Sequence, residues 1–287
     1  MTGLNRRRFL HSAGLGLAAA AAGPLPAAKA AGMRLGLVTY QWAKDMDLPA
    51  VIRACEKSGL LGVELRTEHA HGVEPSLTKA QRQEVRKRFA DSPVELVGYG
   101  SNCEYHSPDP AKLKQNIELT RQYIQLMHDC GGSGVKVKPN DLPKSLPPEK
   151  TIEQIGKALN EVGAYGAEYG QKIRVEVHGR ATSELPVMKQ IFDVATHPNV
   201  YDSWNCNDAD LKGAGLEANF NMVKDRFGDT VHIRELNVGD YPYAQLIKLF
   251  KGIRYNGRLL LEARTEPQDK IQAMAEQLKV FRQMLKG

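Results

Sequence analysis

The chain has 287 residues, 42% hydrophobic and 25% charged, with a formal net charge of +6. That is the composition of a folded globular protein, neither disordered nor fibrous. Four of the six net charges are Arg6, Arg7, Arg8 and Lys29, in a first thirty residues that contain no acid, so the rest carries +2 and gives no footing for nucleic-acid binding.

In chain order, "NRRRFLHSAGLGLAAAAAG" has a basic start and a short apolar run, followed by "AKA", a small-residue cleavage pattern ending at Ala30. Arg6-Arg7 with Phe9 and Leu10 resembles the bacterial twin-arginine export signal. The expectation is a cleaved leader over residues 1–30, a periplasmic or otherwise exported protein, and the twin-arginine machinery as a partner. The apolar run is too short and too rich in Ala and Gly for a stable membrane anchor, which needs ~20 strongly apolar residues. Residues 31–287 suit a single barrel of ~250 residues.

Short β-like runs then alternate with amphipathic helices about eight times. The predicted strands are "RLGLVTY" (34–40), "LGVEL" (61–65), "VELVGY" (94–99), "GVKVK" (134–138), "IRVEVH" (173–178), "VYDSWN" (200–205), "VHIREL" (231–236) and "RLLLE" (258–262). Between them, Leu113, Ile117, Ile124 and Met127 keep one helical face, opened by Asp109-Pro110 and stopped by Gly131. Ile152, Ile155, Leu159, Val162 and Tyr169 form another, and Ile271, Met274, Leu278, Phe281 and Leu285 the last. Strands alternating with helices imply parallel βαβ units. Eight of them without a linker predict one α/β domain, a closed (β/α)8 TIM barrel over 31–287. An open nucleotide-binding sheet needs a glycine turn after the first strand, and "VTYQWAKD" follows it instead. Cys55, Cys103, Cys130 and Cys206 match no zinc module and are expected to be free thiols.

Parallel barrel strands should read as nearly continuous apolar runs, and several of these do not. Val135 and Val137 oppose Lys136 and Lys138; Val175 and Val177 oppose Arg174, Glu176 and His178; Val63 and Leu65 oppose Glu64 and Arg66; Val231 and Ile233 oppose His232 and Arg234. The period of two puts each charged set on the inner face. Unpaired buried charge is very costly, so these groups must pair, bind a metal or face a solvated mouth. Barrel enzymes place their sites where strands end. Arg174, deeper in its strand, reads as a structural ion-pair partner.

With "VEVHGR" on strand five, "VHIREL" on strand seven, "LLLEAR" on strand eight and "GVELRTEHAHG" after strand two, the chain resembles the xylose-isomerase-like barrel superfamily. This is the sugar phosphate isomerase/epimerase group that includes ketose 3-epimerases. The resemblance implies a Glu, an Asp, a His and a Glu from strands five to eight around a divalent ion (Mn, Mg, Co or Zn), with the two glutamates moving protons on opposite faces of a sugar. Glu176, His232 and Glu262 match. Asn205 stands where the Asp would be, and Asp208 where a substrate-binding His often stands.

The expected activity is therefore metal-assisted proton abstraction next to a carbonyl of a keto-sugar, by isomerisation or epimerisation. Glu176 and Glu262 are the catalytic pair; Glu176, Asn205, His232 and Glu262 are the candidate ligands. An Asn oxygen can ligate a hard cation but is neutral, and Asn207 could coordinate in its place. Substrate contacts are expected from Glu64, Arg66, His106, Lys138, His178, Arg180, Asn207, Asp208, Arg234 and Arg264. The competing expectation is a metal-free pocket in which Arg66, Lys138, Arg234 and Arg264 bind an anionic substrate or stabilise an enolate. A lyase or hydratase acting on an oxidised glycoside and an inactive sugar-binding barrel are the alternatives. An endonuclease-IV-like phosphodiesterase would want more histidines. Oligomerisation is left open by the sequence.

Overall fold

The computed structural model describes residues 32–287; the leader expected over residues 1–30 lies outside the described residues. Eight strands alternate with eight helices: β1 Arg34–Val38, α1 Leu48–Ser58, β2 Gly62–Arg66, α2 Lys79–Ala90, β3 Glu95–Glu104, α3 Pro110–Cys130, β4 Gly134–Lys138, α4 Pro148–Glu168, β5 Lys172–Glu176, α5 Leu185–Val194, β6 Val200–Ser203, α6 Leu216–Val223, β7 Thr230–Ile233, α7 Tyr243–Gly252, β8 Arg258–Leu261 and α8 Lys270–Met284. The helix boundaries follow local chemistry. Asp109 accepts from the Ala111 N–H with Pro110 in the first turn, and Gly131 ends α3 at φ 85°. Thr78 and Gln81 close a capping box at α2.

All eight strands are parallel, in the order β6-β5-β4-β3-β2-β1-β8-β7. The β6 and β7 ends meet through isolated parallel bridges, Asn205 to His232 and Asp202 to Phe227. The His232 N–H donates to the Trp204 carbonyl at 2.7 Å and the Cys206 N–H to the His232 carbonyl at 3.2 Å. The chain is thus a nearly closed (β/α)8 barrel, and its seam is built from two site candidates.

The outward residues Val135, Val137, Ile173, Val175, Val231 and Ile233 are fully buried against the helices. Trp204 is among them, packed on Phe220 and Phe227. The four cysteines are free and buried.

The inward charges sit at two heights. Arg174, third in β5, has no exposed surface. It donates to the Val97 carbonyl (3.0 Å), Ser133 Oγ (2.9 Å) and both carboxyl oxygens of Asp229 (3.0 and 3.2 Å). Lys172 adds a contact to Asp229 at 2.8 Å. Burial alone would raise the Asp229 carboxyl, but Arg174 and Lys172 hold it well below the usual range. Gly98 makes room for this plug, since a Cβ there would lie 2.3 Å from an Arg174 guanidinium nitrogen. Arg174 is structural, as its depth implied, and leaves Glu176 at the strand's end for chemistry.

Candidate active site

Glu176, the last residue of β5, is the centre of the cluster. Its Oε2 accepts from Lys136 Nζ at 2.5 Å, and its Oε1 from Asn205 Nδ2 at 3.0 Å and His232 Nδ1 at 3.3 Å. His232 Nε2 lies 3.0 Å from Glu64 Oε1, so the imidazole bridges two carboxylates. Lys136, Glu64 and His232 have no exposed surface and Glu176 is nearly as deep. Across the opening, Arg66 donates to Glu262 Oε1 at 2.7 Å and lies over the Tyr40 ring.

The charges sustain one another. Burial works against the ionised form of Glu176, but Lys136 and His232 hold its carboxyl well below the ordinary value. Burial also opposes ionised Glu64, and His232, Lys136 and Arg174 together hold its carboxyl below the ordinary value. His232 would lose its proton by burial alone, but Glu64 and Glu176 push it up to about 10.

The mouth carries a second polar layer. Lys138 Nζ and Arg66 both reach Asn102 Oδ1, at 3.3 and 3.4 Å. Asn140 donates to Glu104 and lies 2.8 Å through Oδ1 from His178 Nδ1. Burial keeps the His178 imidazole below its ordinary value. Asn140 has φ 72° and forms a parallel bridge with Gly179, where a Cβ would meet the Asn140 carbonyl oxygen at 2.0 Å. Only glycine fits that approach, so the loops after β4 and β5 are locked together. His106 lies 3.2 Å from the Pro139 carbonyl. Behind Glu262, the buried Glu235 accepts from the Arg264 and Thr265 N–H groups at 3.0 and 2.7 Å, which fixes the loop after β8.

Of the expected site residues, the structure brings Glu64, Arg66, Glu176, Asn205, His232 and Glu262 together, with Lys138, His178 and His106 at the mouth. Arg234 is half-buried beside them: it reaches the Cys206 carbonyl at 3.2 Å and leaves a buried nitrogen unpartnered among the described residues. Four expected residues are not brought into the cluster. Asn207 caps the turn Asp208–Leu211, its Oδ1 accepting from the Ala209 N–H and its Nδ2 donating to the Asn205 carbonyl, so its side chain is turned to the loop backbone rather than to Glu176, His232 and Glu262. Arg180 is exposed and pairs with Asp141. Asp208 and Arg264 are exposed, and no contact joins their side chains to the cluster. Lys136, Asn102 and Asn140 were missed. For Lys136 the signal was present, since alternation puts it on the same face as Lys138 and Glu176.

The loop after β6 also holds a proton-sensitive pair. Asp210 is fully buried and accepts from Tyr241 Oη at 2.6 Å and the Asn207 N–H at 3.0 Å. Burial, against those two bonds, pushes its carboxyl up to about 7. A raised acid favours the fold below the unfolded value of about 4 and loses that advantage as pH rises to the folded value. Asp210→Asn is therefore expected to remove a fall in stability between about pH 4 and 7, worth roughly 1.4 kcal/mol per pKa unit. Parallel urea titrations across that window check this; curves that stay parallel would contradict it.

Glu176, His232 and Glu262 each offer a ligand atom within 4.8 Å of the others, so distance permits an ion. The bonding around them is against it. A carboxylate only accepts hydrogen bonds, so the group Asn205 turns to Glu176 must be its NH2, and its oxygen is not a partner of this cluster. Lys136 takes the other Glu176 oxygen and Arg66 takes Glu262. The two acids of the trio are already matched by two fixed cations, and the set as arranged does not fit a divalent ion.

Similarity to known proteins agrees with this architecture. The sequence profile of the family described as xylose isomerase-like TIM barrel matches residues 52–284. No curated protein is similar enough in sequence to count as a relative. Among solved structures, 3-keto-D-glucoside 4-epimerase from E. coli superposes with a TM-score of 0.74 at 13% identity, over 88% of this chain and 99% of that one. D-allulose 3-epimerase from Methylomonas sp. gives 0.74 at 16%, over 90% and 99%. The probable 3-DHS dehydratase from Bacillus anthracis gives 0.71 at 12%, over 87% and 99%. Identities this low establish a shared fold.

Proposed function

We infer, for a chain that belongs to the xylose isomerase-like TIM barrel family, an enzyme that removes a proton next to a carbonyl of a keto-sugar and returns one, as a sugar epimerase or isomerase does. The observation that carries this is the pair Glu176 and Glu262, whose oxygens converge within 4.8 Å beside fixed cations. Removing an α-proton needs a carboxylate base and a donor set for the enolate oxygen. Glu262, held by Arg66, is the proton-transfer group on one side. On the other, His232 lies against Glu176 and can pass it the proton that it delivers. Arg66 supplies positive charge at the opening.

The same chemistry stopped after proton removal expels a leaving group at the next carbon, which is a lyase reaction. The likeness to a dehydratase supports that second outcome. The leader read in residues 1–30 favours a substrate outside the cytoplasm, such as an unphosphorylated oxidised sugar or glycoside. Incubation with ketoses and 3-keto-glycosides, followed by NMR of the products, separates the cases. An epimer or ketose–aldose isomer is expected; an enone identifies a lyase, and binding without turnover identifies a sugar-binding barrel.

A further inference from the structure

The carboxylate at the centre of this site has a cation built into the chain. We propose that Lys136, with the amide of Asn205, replaces a divalent ion against Glu176 and that the protein works without a metal. The proposal rests on the reading of Glu176, His232 and Glu262 as the reactive cluster.

Three observations lead there. Lys136 has no exposed surface, and among the described residues its ammonium makes one hydrogen bond, to Glu176 Oε2 at 2.5 Å. An ammonium this deep is kept only where a carboxylate compensates it. Its position follows from the ladder: β4 and β5 pair with Lys136 beside Arg174, one inward step below Glu176. Second, Asn205 donates to the other Glu176 oxygen, which a carboxylate at 205 could not do. An acid there would set two carboxylates side by side unless a cation came between them; the amide removes that need. Third, Glu262 has its own cation in Arg66. An ion on the trio would face two like charges and gain no carboxylate from position 205.

Lys136 and Asn205 thus form one device, a fixed charge in place of an exchangeable one. Lys136 is a positioning residue. It holds Glu176 ionised and aimed, while the exposed end of the charge system, Arg66, meets the substrate. Coupling also gives a prediction that neither residue would carry alone: restoring an acid at 205 and removing the ammonium at 136 should return an ion site.

The test is ion binding, read without substrate. The protein, purified without chelator or added ions, is analysed for Mn, Co, Zn and Mg by mass spectrometry and titrated with MnCl2 in a calorimeter. The same is done for the double variant Lys136→Met, Asn205→Asp, with folding checked by circular dichroism. Lys136→Gln, Asn205→Asp serves if the first does not fold. The wild type is expected to carry only substoichiometric metal and to show no saturable Mn2+ binding. The double variant is expected to bind Mn2+ saturably, about 10- to 100-fold more tightly than the limit the wild-type titration sets, and to lose that binding when His232→Ala is added. A stoichiometric ion in the wild type that His232→Ala removes would overturn the proposal. So would a folded double variant that takes up no ion, since Lys136 would then not be what keeps it out. Failure to turn over any keto-sugar would sink the proposed reaction and leave these results standing.

Discussion

Glu176→Gln is expected to lower kcat by about 10^2- to 10^4-fold, the usual worth of a general acid–base group, and also to destabilise the protein. The two effects have separate causes. Gln keeps the shape and can still bond to His232 or Asn205, but it cannot take a proton. It also leaves Lys136 fully buried with no counter-charge, and breaking a buried pair in this way costs about 3–5 kcal/mol. The double variant Glu176→Gln, Lys136→Met should recover much of the stability and none of the activity. Urea unfolding beside steady-state kinetics checks both halves. Activity that survives Glu176→Gln would remove this residue from the chemistry.

Asp229→Asn is expected to destabilise by a similar 3–5 kcal/mol without changing the chemistry. Here the buried ion is Arg174, which keeps its bonds to the Val97 carbonyl and Ser133 but loses the only carboxylate touching it among the described residues. At roughly 2–4 °C per kcal/mol for a domain of this size, the melting temperature should fall by about 10 °C. The sign of its pH dependence is opposite to that of Asp210. A depressed carboxyl contributes stability above its unfolded value of about 4, and that contribution is lost as pH falls through the lower folded value. The gap between wild type and Asp229→Asn should therefore narrow below about pH 4. A kcat that falls in step with stability at 25 °C would mean the plug also shapes the site.

The fold was legible because its signals are local. Strand runs matched β1 to β8 within three residues except that β3 continues five residues past its expected end, to Glu104, since alternation and helix caps at Asp109 and Gly131 act over neighbours. Alternation also gave the inner face of each strand. It did not give depth: Lys136 and Lys138 share a face, yet one is buried under Glu176 and the other meets Asn102 at the mouth. Depth depends on strand stagger around the barrel, which no single segment encodes. Beyond strand ends the period fails altogether. β5 stops at Glu176, Gly179 turns the chain at φ 104°, and Arg180 faces Asp141 outside. Asn207 was lost to a local competitor, the turn that it caps. Asn205 stood out in the sequence as a departure; that its NH2 turns to Glu176 depends on a partner 29 residues away in the chain.

The most direct test of the proposed chemistry is solvent exchange. Ketoses and 3-keto-glycosides that bind the protein would be incubated with it in D2O and followed by NMR at the carbons flanking the carbonyl. Deuterium should enter one of those positions with the wild type where an epimer or an isomer accumulates, whereas an elimination product should lack the hydrogen that was removed. Net epimerisation or isomerisation should be lost with Glu176→Gln and with Glu262→Gln, and exchange should be lost with the variant that removes the base facing the substrate's proton. An epimer or isomer formed by the wild type with no deuterium gained next to its carbonyl, or equal exchange in all three proteins, would contradict proton abstraction by this pair.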